Sequence, residues 1–365
     1  MTLTNGREAS WVSYRDFLVD AIVRESETAK SFYLVPADGG ALAPYLPGQH
    51  LPIRLAMRGL PKPIIRCYTL SDAFDGRRYR LTIKRQGPPA DRPDLPAGLS
   101  STWFHDHLQA GDILQAKMPN GRFCLDLSKT HPVALIAGGI GVTPMISMLN
   151  AASRAGCTRE IHFLFALRHG GDHVFREHLQ QLRGRHANLR MHILYEQPRP
   201  EDRLGADYDA AGRIDASLLR QLAAERRMEY FLCGPPGMMQ AVAAELLEAG
   251  VENGRIRTES FGPSSLSLRA AMADEEPPRE SEISVTFLRE GVTVPWTGNS
   301  GTLLELAEAN GIELDYGCRY GDCATCQTTL VSGEVAYLHP TGATPDPGTC
   351  LPCSCRPVTS VVLGS

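Results

Sequence analysis

The chain has 365 residues, of which 43% are hydrophobic and 21% charged, and its formal net charge is -4 at pH 7. This length can bury several cores without disulfide staples, and so small a net charge excludes the basic footprint of a nucleic-acid-binding protein. The charge is uneven, because residues 281–365 hold nine acidic and three basic residues while residues 1–265 hold 28 acidic and 32 basic ones. The carboxyl-terminal part is therefore an acidic module.

The sequence shows no membrane or export signal. No apolar run reaches the roughly 18 residues that a membrane span requires, and the amino-terminal stretch MTLTNGREASWVSYRDF lacks the pattern of a secretory signal. We therefore expect a cytoplasmic protein without a membrane partner. Six of the ten cysteines lie in residues 318–365. In a reducing compartment such clustering indicates a local metal site rather than a disulfide framework.

Short strand-like stretches separated by glycine and proline fill residues 1–128, and they predict a small antiparallel β-barrel or sandwich. They include SFYLVPADGG, LPIRLAM, IIRCYTLSDAFDGRRYRLTIKR and AGDILQAKMPNGRF. In RCYTLS, strand alternation places Arg66 and Tyr68 on one face. An arginine can hold a phosphate and a tyrosine can stack on a flat ring, which suits a flavin nucleotide. A plain half-buried strand fits the stretch equally well. Downstream, GLSSTWFHD offers helix-start N–H groups and the Ser101 hydroxyl to a second phosphate.

Strand and helix patterns alternate through residues 129–265, which predicts a doubly wound parallel α/β sheet. The stretch GGIGVTPM follows the first strand, and LCGPPGMM follows the fourth. Glycines in such turns let backbone N–H groups approach a pyrophosphate. Either turn alone could be merely a tight connection between a strand and a helix, but two such turns in one sheet favour nucleotide binding. Cys233 stands where ligands bind in these sheets, although a buried structural cysteine is the commoner role.

Residues 266–281 combine small, charged and proline residues without an apolar period, which is typical of a linker. After them, residues 282–365 contain strand-like pieces, a helix TLLELAEANG, a cysteine loop and a closing strand SVVLG, which predicts a small α+β domain. The loop DYGCRYGDCATC spaces Cys318, Cys323 and Cys326 as C-x4-C-x2-C. This is the spacing of plant-type [2Fe-2S] clusters. A four-cysteine zinc site is the alternative, but zinc sites usually pair two short knuckles.

The motifs RCYTLS, LTIKR, GLSSTWFHD, GGIGVTPM, CGPPGMM and ESFGP, in this order, resemble the ferredoxin-NADP reductase superfamily, and the tail resembles a plant-type ferredoxin. The combination is similar to oxygenase reductases of the phthalate dioxygenase reductase type. The resemblance implies a multidomain fold. Its parts are an antiparallel β-barrel flavin domain over residues 1–128, an α/β doubly wound nicotinamide-nucleotide domain over residues 129–265, the linker, and an α+β ferredoxin-like (β-grasp) domain over residues 282–365.

The same resemblance implies roles for residues of the flavin domain. Arg66 would contact the flavin phosphate, Tyr68 would pack on the isoalloxazine, and Thr69, which replaces a usual serine, would hydrogen-bond near flavin N5. Lys84 would lie beside the flavin tail and Ser101 on the pyrophosphate. Further flavin-binding positions in these segments are Cys67, Gly98, Ser100 and Thr102.

Residues of the nucleotide domain also receive implied roles. Those expected to face the nicotinamide nucleotide are Gly139, Gly141, Thr143, Cys233, Gly234 and Pro235. Glu259 and Phe261 would approach the flavin from the other side. The positions implied to be catalytic are Thr69, Cys233, Glu259 and Phe261. The fourth cluster ligand is expected to be Cys353 rather than Cys350 or Cys355, because ferredoxins carry this cysteine four residues before a proline and Pro357 fits that spacing.

The cofactors follow from the same comparison of motifs. GLSSTWFHD resembles FAD-binding flavohemoglobin and monooxygenase reductases, so we expect FAD rather than FMN. The segment ALRHGGDHVF offers Arg168 and His169 to a 2'-phosphate but lacks the serine-arginine-tyrosine set of plant-type NADPH enzymes. NADH is therefore the expected donor, and NADPH use stays open.

These cofactors suggest a two-electron to one-electron converter, because NADH delivers a hydride and a [2Fe-2S] cluster accepts single electrons. We expect a monomeric reductase that passes electrons from NADH through FAD and the cluster to a terminal oxygenase. This partner would be Rieske-type or another monooxygenase or demethylase. One alternative is a reductase for a non-oxygenase partner in hybrid-cluster or nitrogen-oxide metabolism. The other is a redox sensor.

Overall fold

The computed structural model of the chain describes most of its residues. The predicted linker, residues 266–281, lies outside the described part. The described residues are 11, 14–60, 63–88, 93–94, 96–225, 227–261, 283–298, 300–319, 321, 323–338, 341 and 343–364.

The first sheet is an antiparallel barrel. Its strands are β1 (Arg15–Arg24), β2 (Ala29–Pro36), β3 (His50–Leu55), β4 (Ile64–Thr69), β5 (Tyr79–Lys84) and β6 (Ile113–Ala116). Their order is β4-β3-β6-β1-β2-β5, and an antiparallel bridge between Leu70 and Leu81 joins the outer strands. Alternate apolar residues such as Phe17, Phe32 and Leu51 are fully buried, as one face of each strand must be. The barrel prediction is confirmed. Helix α1 (Leu99–Asp106) follows β5.

The second sheet is parallel. Its strands are β7 (Val133–Gly138), β8 (Ile161–Leu167), β9 (Leu189–Tyr195), β10 (Ala210–Ala211), β11 (Glu229–Cys233) and β12 (Ile256–Glu259). The connecting helices are α2 (Val142–Arg154), α3 (Arg176–Arg185), α4 (Ala216–Ala223) and α5 (Pro236–Glu248). The order β10-β9-β8-β7-β11-β12 reverses direction between β7 and β11. Every residue of β7 is buried, as expected for a strand covered on both faces. The predicted doubly wound sheet is confirmed, and its switch point lies where the two glycine-rich turns begin.

The third sheet is mixed and belongs to the carboxyl-terminal domain. Its elements are β13 (Ser284–Phe287), β14 (Val292–Pro295), α6 (Leu303–Ala309), β15 (Thr328–Ser332), β17 (Thr349–Cys350) and β19 (Val361–Gly364), with β16 (Val335–Tyr337) and β18 (Cys355–Pro357) as a separate ribbon. The strand order is β14-β13-β19-β15-β17, with β13 parallel to β19. Thr302 and Glu305 form a reciprocal capping box at the start of α6. The predicted α+β ferredoxin-like domain is confirmed.

The described residues fall into two compact units. The first lies within Met1–Leu51, Tyr68–Pro119 and Phe123–Ser265, and the second within Pro52–Cys67, Asn120–Arg122 and Leu266–Ser365. The second unit therefore contains the ferredoxin-like sheet together with most of strand β4. Within the described residues, no helix is both long and apolar enough to cross a bilayer. The division into residues 1–128, 129–265 and 282–365 stays a prediction.

Candidate redox sites

The two glycine-rich turns pack against each other at the switch point of the parallel sheet. Strands β7 and β11 run side by side, with Ala137 opposite Cys233. A Cβ on Gly138 would lie 2.6 Å from Met238 Sδ, and one on Gly234 would lie 2.9 Å from the Gly138 Cα. A Cβ on Gly141 would meet the Cys233 carbonyl group. Side chains are thus excluded where the turns touch, and bare backbone lines the crevice in which α/β sheets bind nucleotides.

The first turn shapes the start of helix α2. Gly139 has φ +53, a left-handed conformation that favours glycine, and a Cβ there would meet open space. Thr143, in the first turn of α2, is buried and donates its hydroxyl to the Ile140 carbonyl at 3.0 Å. Pro235 is the amino-terminal cap residue of α5. The structure therefore brings the predicted nucleotide residues to two adjacent helix amino termini, whose N–H groups and dipoles favour a pyrophosphate.

A buried thiol and a carboxylate lie together at the end of this crevice. Cys233 is fully buried, and its neighbour across the parallel pair β11–β12 is Glu259. Burial, and then the nearby Glu259 carboxylate, raise the pKa of the Cys233 thiol well above its ordinary value. The Glu259 carboxylate lies 3.9 Å from His50 Nδ1. Phe261 is 45% exposed. Burial therefore favours the neutral thiol of Cys233 over the thiolate.

Two threonine hydroxyls of the first unit are buried without a hydrogen-bond partner among the described residues. They belong to Thr69, at the end of β4, and to Thr102 in α1. A buried hydroxyl without a partner carries a free-energy cost, so each is available to a ligand atom or an ordered water. The Tyr68 ring is half-buried and meets Phe104 edge-on, with ring centroids 5.0 Å apart. These positions fit the hydrogen-bonding edge and flat ring system of a flavin.

Other predicted flavin contacts already have protein partners. The Ser101 hydroxyl donates to the Gly98 carbonyl at 3.0 Å and accepts from the Gln86 N–H at 3.1 Å. Lys84 Nζ lies 3.1 Å from Asp172 Oδ1, which also accepts the Thr28 hydroxyl at 2.8 Å. Ser100 is buried in α1. No sequence pattern predicts Asp172, because its contact with Lys84 joins segments 88 residues apart. The ion pair holds the Lys84 ammonium beside Asp172.

Strand β4 carries two further predicted residues in the second unit. Arg66 is half-buried and donates to the neighbouring Ile65 carbonyl at 2.8 Å. Cys67 follows, so strand alternation turns its side chain to the opposite face. The neighbouring Cys318 and Cys323, together with burial, raise the pKa of the Cys67 thiol well above its ordinary value. The sequence predicted Cys67 as a flavin contact, and spacing along the chain held no sign of these neighbours.

The four predicted cluster cysteines come together in the second unit. They form two neighbouring pairs. In the first pair, the Cys318 N–H donates to Cys323 Sγ at 3.2 Å and the Cys323 N–H donates to Cys318 Sγ at 3.4 Å. In the second pair, the sulfurs of Cys326 and Cys353 lie 3.1 Å apart. Cys318 also contacts Cys353. In the part of the chain that the structure describes, no three such side chains are placed to hold a single metal ion. Two sulfur pairs fit a binuclear cluster, which has two irons and four thiolates.

The backbone of the cysteine loop directs N–H groups toward the cysteine sulfurs. Arg319 and Ala324 have φ of 60 and 54, which is rare for residues with a Cβ. Arg319 is held by a two-point ion pair with Glu308 of α6, and its guanidinium lies 4.1 Å from the Tyr316 ring centroid. The Gly321 N–H donates to Cys353 Sγ at 3.1 Å. Such turns direct backbone N–H groups inward, a common feature of iron–sulfur and anion sites.

The remaining cysteines of the tail form a separate pair. Cys350 and Cys355 are fully buried and in contact with each other. They belong to strands β17 and β18, whereas Cys353 lies between them and faces Cys326. The structure therefore groups Cys353, and not its two neighbours, with the loop cysteines.

A group of charged side chains follows the ends of β8 and β9. Arg199 makes a two-point ion pair with Glu27, at 2.7 and 3.0 Å, and lies 3.3 Å from His169 Nε2. Arg168 is exposed and donates to the Gln197 side chain at 3.3 Å. The guanidinium beside Glu27 holds the pKa of that carboxyl below its ordinary value. The sequence reasoning weighed Arg168 and His169 but missed Glu27, which comes from the barrel.

Two known families match separate parts of the chain. The oxidoreductase NAD-binding domain family matches residues 135–244, and the 2Fe-2S iron-sulfur cluster binding domain family matches residues 285–358. The solved flavohem-like FAD/NAD-binding domain of a nitric oxide dioxygenase from Vibrio cholerae O1 biovar El Tor is 32% identical, with a TM-score of 0.61. It covers 69% of this chain and is itself covered in full. The chain belongs to the ferredoxin-NADP reductase superfamily. It is an oxidoreductase with an added 2Fe-2S domain.

Other superfamily members match over different extents. A flavohemoprotein from Halalkalibacterium halodurans is 37% identical over 69% of this chain, and one from Chromobacterium violaceum is 40% identical over 70%. The chain spans 61% and 62% of these two relatives' own lengths. The solved phthalate dioxygenase reductase covers 96% of this chain and is covered over 98%, with 21% identity and a TM-score of 0.57. That likeness extends the shared fold to the iron–sulfur domain.

Proposed function

We propose that this chain is an NADH-dependent reductase that passes electrons through FAD and a [2Fe-2S] cluster to a terminal oxygenase. The observation that carries the proposal is the meeting of four cysteine sulfurs in two pairs, in a chain whose other sheet has a nucleotide-binding switch point. A reductase that ends in its own cluster is suited to deliver single electrons to another metal centre.

When bound, the nicotinamide supplies a hydride, the flavin accepts the electron pair, and the cluster carries one electron at a time. The chain's own residues hold and align these groups. The open position at Gly139 admits the nucleotide close to the backbone, and the close packing of Gly141 and Gly234 holds the two turns together. Thr143 and Pro235 lie at the two helix starts. Alignment of this kind supplies much of the rate, because the reacting atoms must be held near 3 to 3.5 Å.

The flavin is assigned to the residues of β4 and α1. The Thr69 and Thr102 hydroxyls would find their missing partners on it, and the half-buried Tyr68 ring would pack on its flat face. Arg66 supplies a cation for the phosphate. Lys84 acts beside the flavin tail from its ion pair with Asp172. The Ser101 hydroxyl is used within its own segment, so it contributes by shaping the turn at Gly98.

Glu259, Phe261 and Cys233 would complete the site where nicotinamide and flavin meet. Cys233 is fully buried beside Glu259, and the raised pKa of its thiol keeps it uncharged, so it limits the crevice without adding a nucleophile. Phe261, at 45% exposure, would approach the flavin ring from the other side. The cluster ligands would be Cys318, Cys323, Cys326 and Cys353.

NADH is the proposed donor because the cation nearest the second ribose is already paired. Arg199 is held by Glu27, whose carboxylate would repel a 2'-phosphate and accept a hydrogen bond from a 2'-hydroxyl. We further propose a monomeric, cytoplasmic protein with a flavin domain in residues 1–128, a nucleotide domain in residues 129–265 and a ferredoxin domain in residues 282–365.

The test begins with the purified full chain. Acid-released flavin should run as FAD, iron and acid-labile sulfide should approach two each per chain, and NADH should drive turnover of an artificial one-electron acceptor. Reconstitution with Rieske-type oxygenases and with monooxygenases should then give NADH-dependent product. Release of FMN would refute the FAD assignment, and failure to turn over the artificial acceptor would refute the reductase. Lack of turnover with a bound cluster would favour a redox sensor.

A second candidate partner belongs to nitrogen-oxide metabolism. It is favoured by the relatives named flavohemoprotein and by the solved domain of a nitric oxide dioxygenase. The two candidates share the same residues and differ only in the acceptor. Crosslinking and capture on the immobilised full chain, followed by NADH-driven reduction of each captured protein, separates them. Product formation by an oxygenase supports the first candidate, and nitric oxide consumption by a captured haem or hybrid-cluster protein supports the second.

A further inference from the structure

A short loop after strand β4 contacts both the barrel and the parallel sheet domain within the first unit. We call residues 71–73 the Asp72 loop. On the barrel side, the Tyr45 hydroxyl donates to the Asp72 carbonyl at 2.8 Å, and Arg80 Nη1 lies 3.7 Å from Asp72 Oδ2. The loop begins two residues after Thr69, the last residue of β4. Its position and that of the proposed flavin contacts on β4 are therefore linked through the backbone.

Helix α2 presents three polar side chains to the Asp72 loop. They belong to Ser147, Asn150 and Arg154, whose spacing of three and four residues places them on one helix face. Ser147 Oγ donates to the Asp72 carbonyl at 2.7 Å, and Asn150 Nδ2 donates to Asp72 Oδ1 at 2.7 Å. Arg154 Nη1 donates to the Ala73 carbonyl at 2.9 Å. The loop is thus bound along about two turns of the helix.

Two of these helix side chains are buried and fixed by further partners. Ser147 and Asn150 are 0% and 6% exposed. The Ser147 hydroxyl also accepts from the Gly48 N–H at 3.3 Å, and Asn150 Oδ1 lies 2.7 Å from His178 Nε2. A carboxylate can only accept hydrogen bonds, so the Asn150 amide nitrogen faces Asp72 and its oxygen faces the histidine. Buried polar groups are costly to leave unpaired, and these contacts therefore hold the loop in one place on the helix.

The other end of α2 forms the nucleotide turn. The helix starts at Val142, directly after the first glycine-rich turn, and Thr143 lies in its first turn. With 13 residues it is about 20 Å long. One helix therefore contacts the turn proposed to hold the nucleotide and the loop that follows the strand proposed to hold the flavin.

We propose that Ser147 and Asn150 are positioning residues that hold the nucleotide turn at a fixed distance from strand β4 and thereby set the rate of hydride transfer to the flavin. The inference rests on the proposed function, since it presumes both cofactors at these sites. The two side chains act through Asp72 and not on a reacting atom. Reacting atoms must be held near 3 to 3.5 Å, and a displacement of about 1 Å caused by a distant substitution can lower a rate about 100-fold.

The test is stopped-flow reduction of the full-length, FAD-loaded chain by NADH. Asn150→Leu keeps a side chain of similar size without the amide, and it should lower the limiting rate of flavin reduction about tenfold. Adding Ser147→Ala should increase the loss to about 100-fold. The NADH concentration that gives half the limiting rate should change little, because the glycine-rich turns stay intact. The FAD content and the flavin midpoint potential should match those of the wild type.

Further variants separate positioning from general packing. Ser153→Ala is the matched control, because Ser153 lies on the same helix and its hydroxyl is 2.7 Å from His186 Nε2. It should leave the limiting rate unchanged. Asn150→Asp alone sets a carboxylate against Asp72 and should lower the rate. Combining it with Asp72→Asn again pairs an amide with a carboxylate, with donor and acceptor exchanged, and should recover most of the lost rate.

Several outcomes would overturn the inference. A wild-type limiting rate in the variant that combines Ser147→Ala with Asn150→Leu is one. A rate per bound FAD that stays at the wild-type value, or an equal fall in Ser153→Ala, would assign the effect to stability. If the combined variant does not fold, recovery in the exchanged pair supports the inference and a lack of recovery overturns it. Failure of the wild-type chain to bind FAD or to be reduced by NADH would instead refute the proposed function, so the two failures are distinguishable.

Discussion

The nucleotide crevice and the cysteine loop are built in opposite ways. At the switch point, function depends on side chains that are missing, because bare backbone at Gly138, Gly141 and Gly234 permits two turns to meet. At the loop, function depends on side chains that are present, and the backbone bends to serve them, as the left-handed Arg319 and Ala324 show. We therefore expect an added side chain where the turns touch to disturb the crevice, and loss of a cysteine sulfur to disturb the loop site.

The largest effect should come from removing one sulfur of the loop site. Cys353→Ser should abolish or strongly perturb the visible and reduced-state EPR signals, because Cys353 is the tail cysteine that contacts Cys326. The controls Cys350→Ser and Cys355→Ser should keep the signals. Both controls place a hydroxyl in a fully buried position, so a loss of about 1–3 kcal/mol in unfolding free energy is expected there. If Cys350→Ser or Cys355→Ser loses the EPR signals and Cys353→Ser keeps them, the fourth cluster ligand is that other cysteine and not Cys353.

Adding one methyl group to the backbone site should have the next largest effect. In Gly141→Ala the new Cβ would collide with the Cys233 carbonyl and lie 2.7 Å from the Gly234 nitrogen. Displacement of the turns should lower kcat/KM for NADH by about 100-fold, with the cluster EPR signal intact. Gly237→Ala is the matched control, since a Cβ at Gly237 meets nothing within 4 Å. Equal losses in both variants would show that the contact at Gly141 is not the cause.

A smaller effect is expected at the end of strand β4 in the barrel. Thr69→Val should slow flavin reduction by NADH by about tenfold, the value of one hydrogen bond of about 1.4 kcal/mol. The melting temperature should hold or rise, because the Thr69 hydroxyl has no partner among the described residues. Stopped-flow absorbance and thermal unfolding measure the two quantities. Thr293→Val, on an exposed ferredoxin strand, is the control. Thermal destabilisation with unchanged flavin reduction would contradict the assignment.

The smallest effect concerns nucleotide choice. Glu27→Gln removes the carboxylate that holds Arg199 and should raise kcat/KM for NADPH about threefold to tenfold, with little change for NADH. Glu252→Gln, in an exposed ion pair with Arg255, serves as the control. Steady-state kinetics with both nucleotides measures the ratio. If wild type already prefers NADPH tenfold, the pairing of Arg199 does not set the choice.

Periodicity predicted the parallel sheet well, because its helices and buried strands are long enough to show their pattern. It missed β1 among the barrel strands and the short strands β15 to β18, which have two to five residues each and are fixed by pairing with distant segments. Cysteine spacing predicted the grouping of Cys353 with the loop. It could not find the neighbours of Cys67 or the pairing of Lys84 with Asp172, since both depend on tertiary contacts.

The bridge between Leu70 and Leu81 has a consequence for how the protein behaves at high concentration. Next to it, the Ser71 N–H donates to the Arg80 carbonyl at 2.8 Å, so the outer barrel strands pair with each other. An open sheet edge offers unpaired N–H and C=O groups to any passing strand and is a common starting point for aggregation. The bridge removes that opportunity at Leu70 and Ser71, which directly follow the strand that carries the proposed flavin contacts.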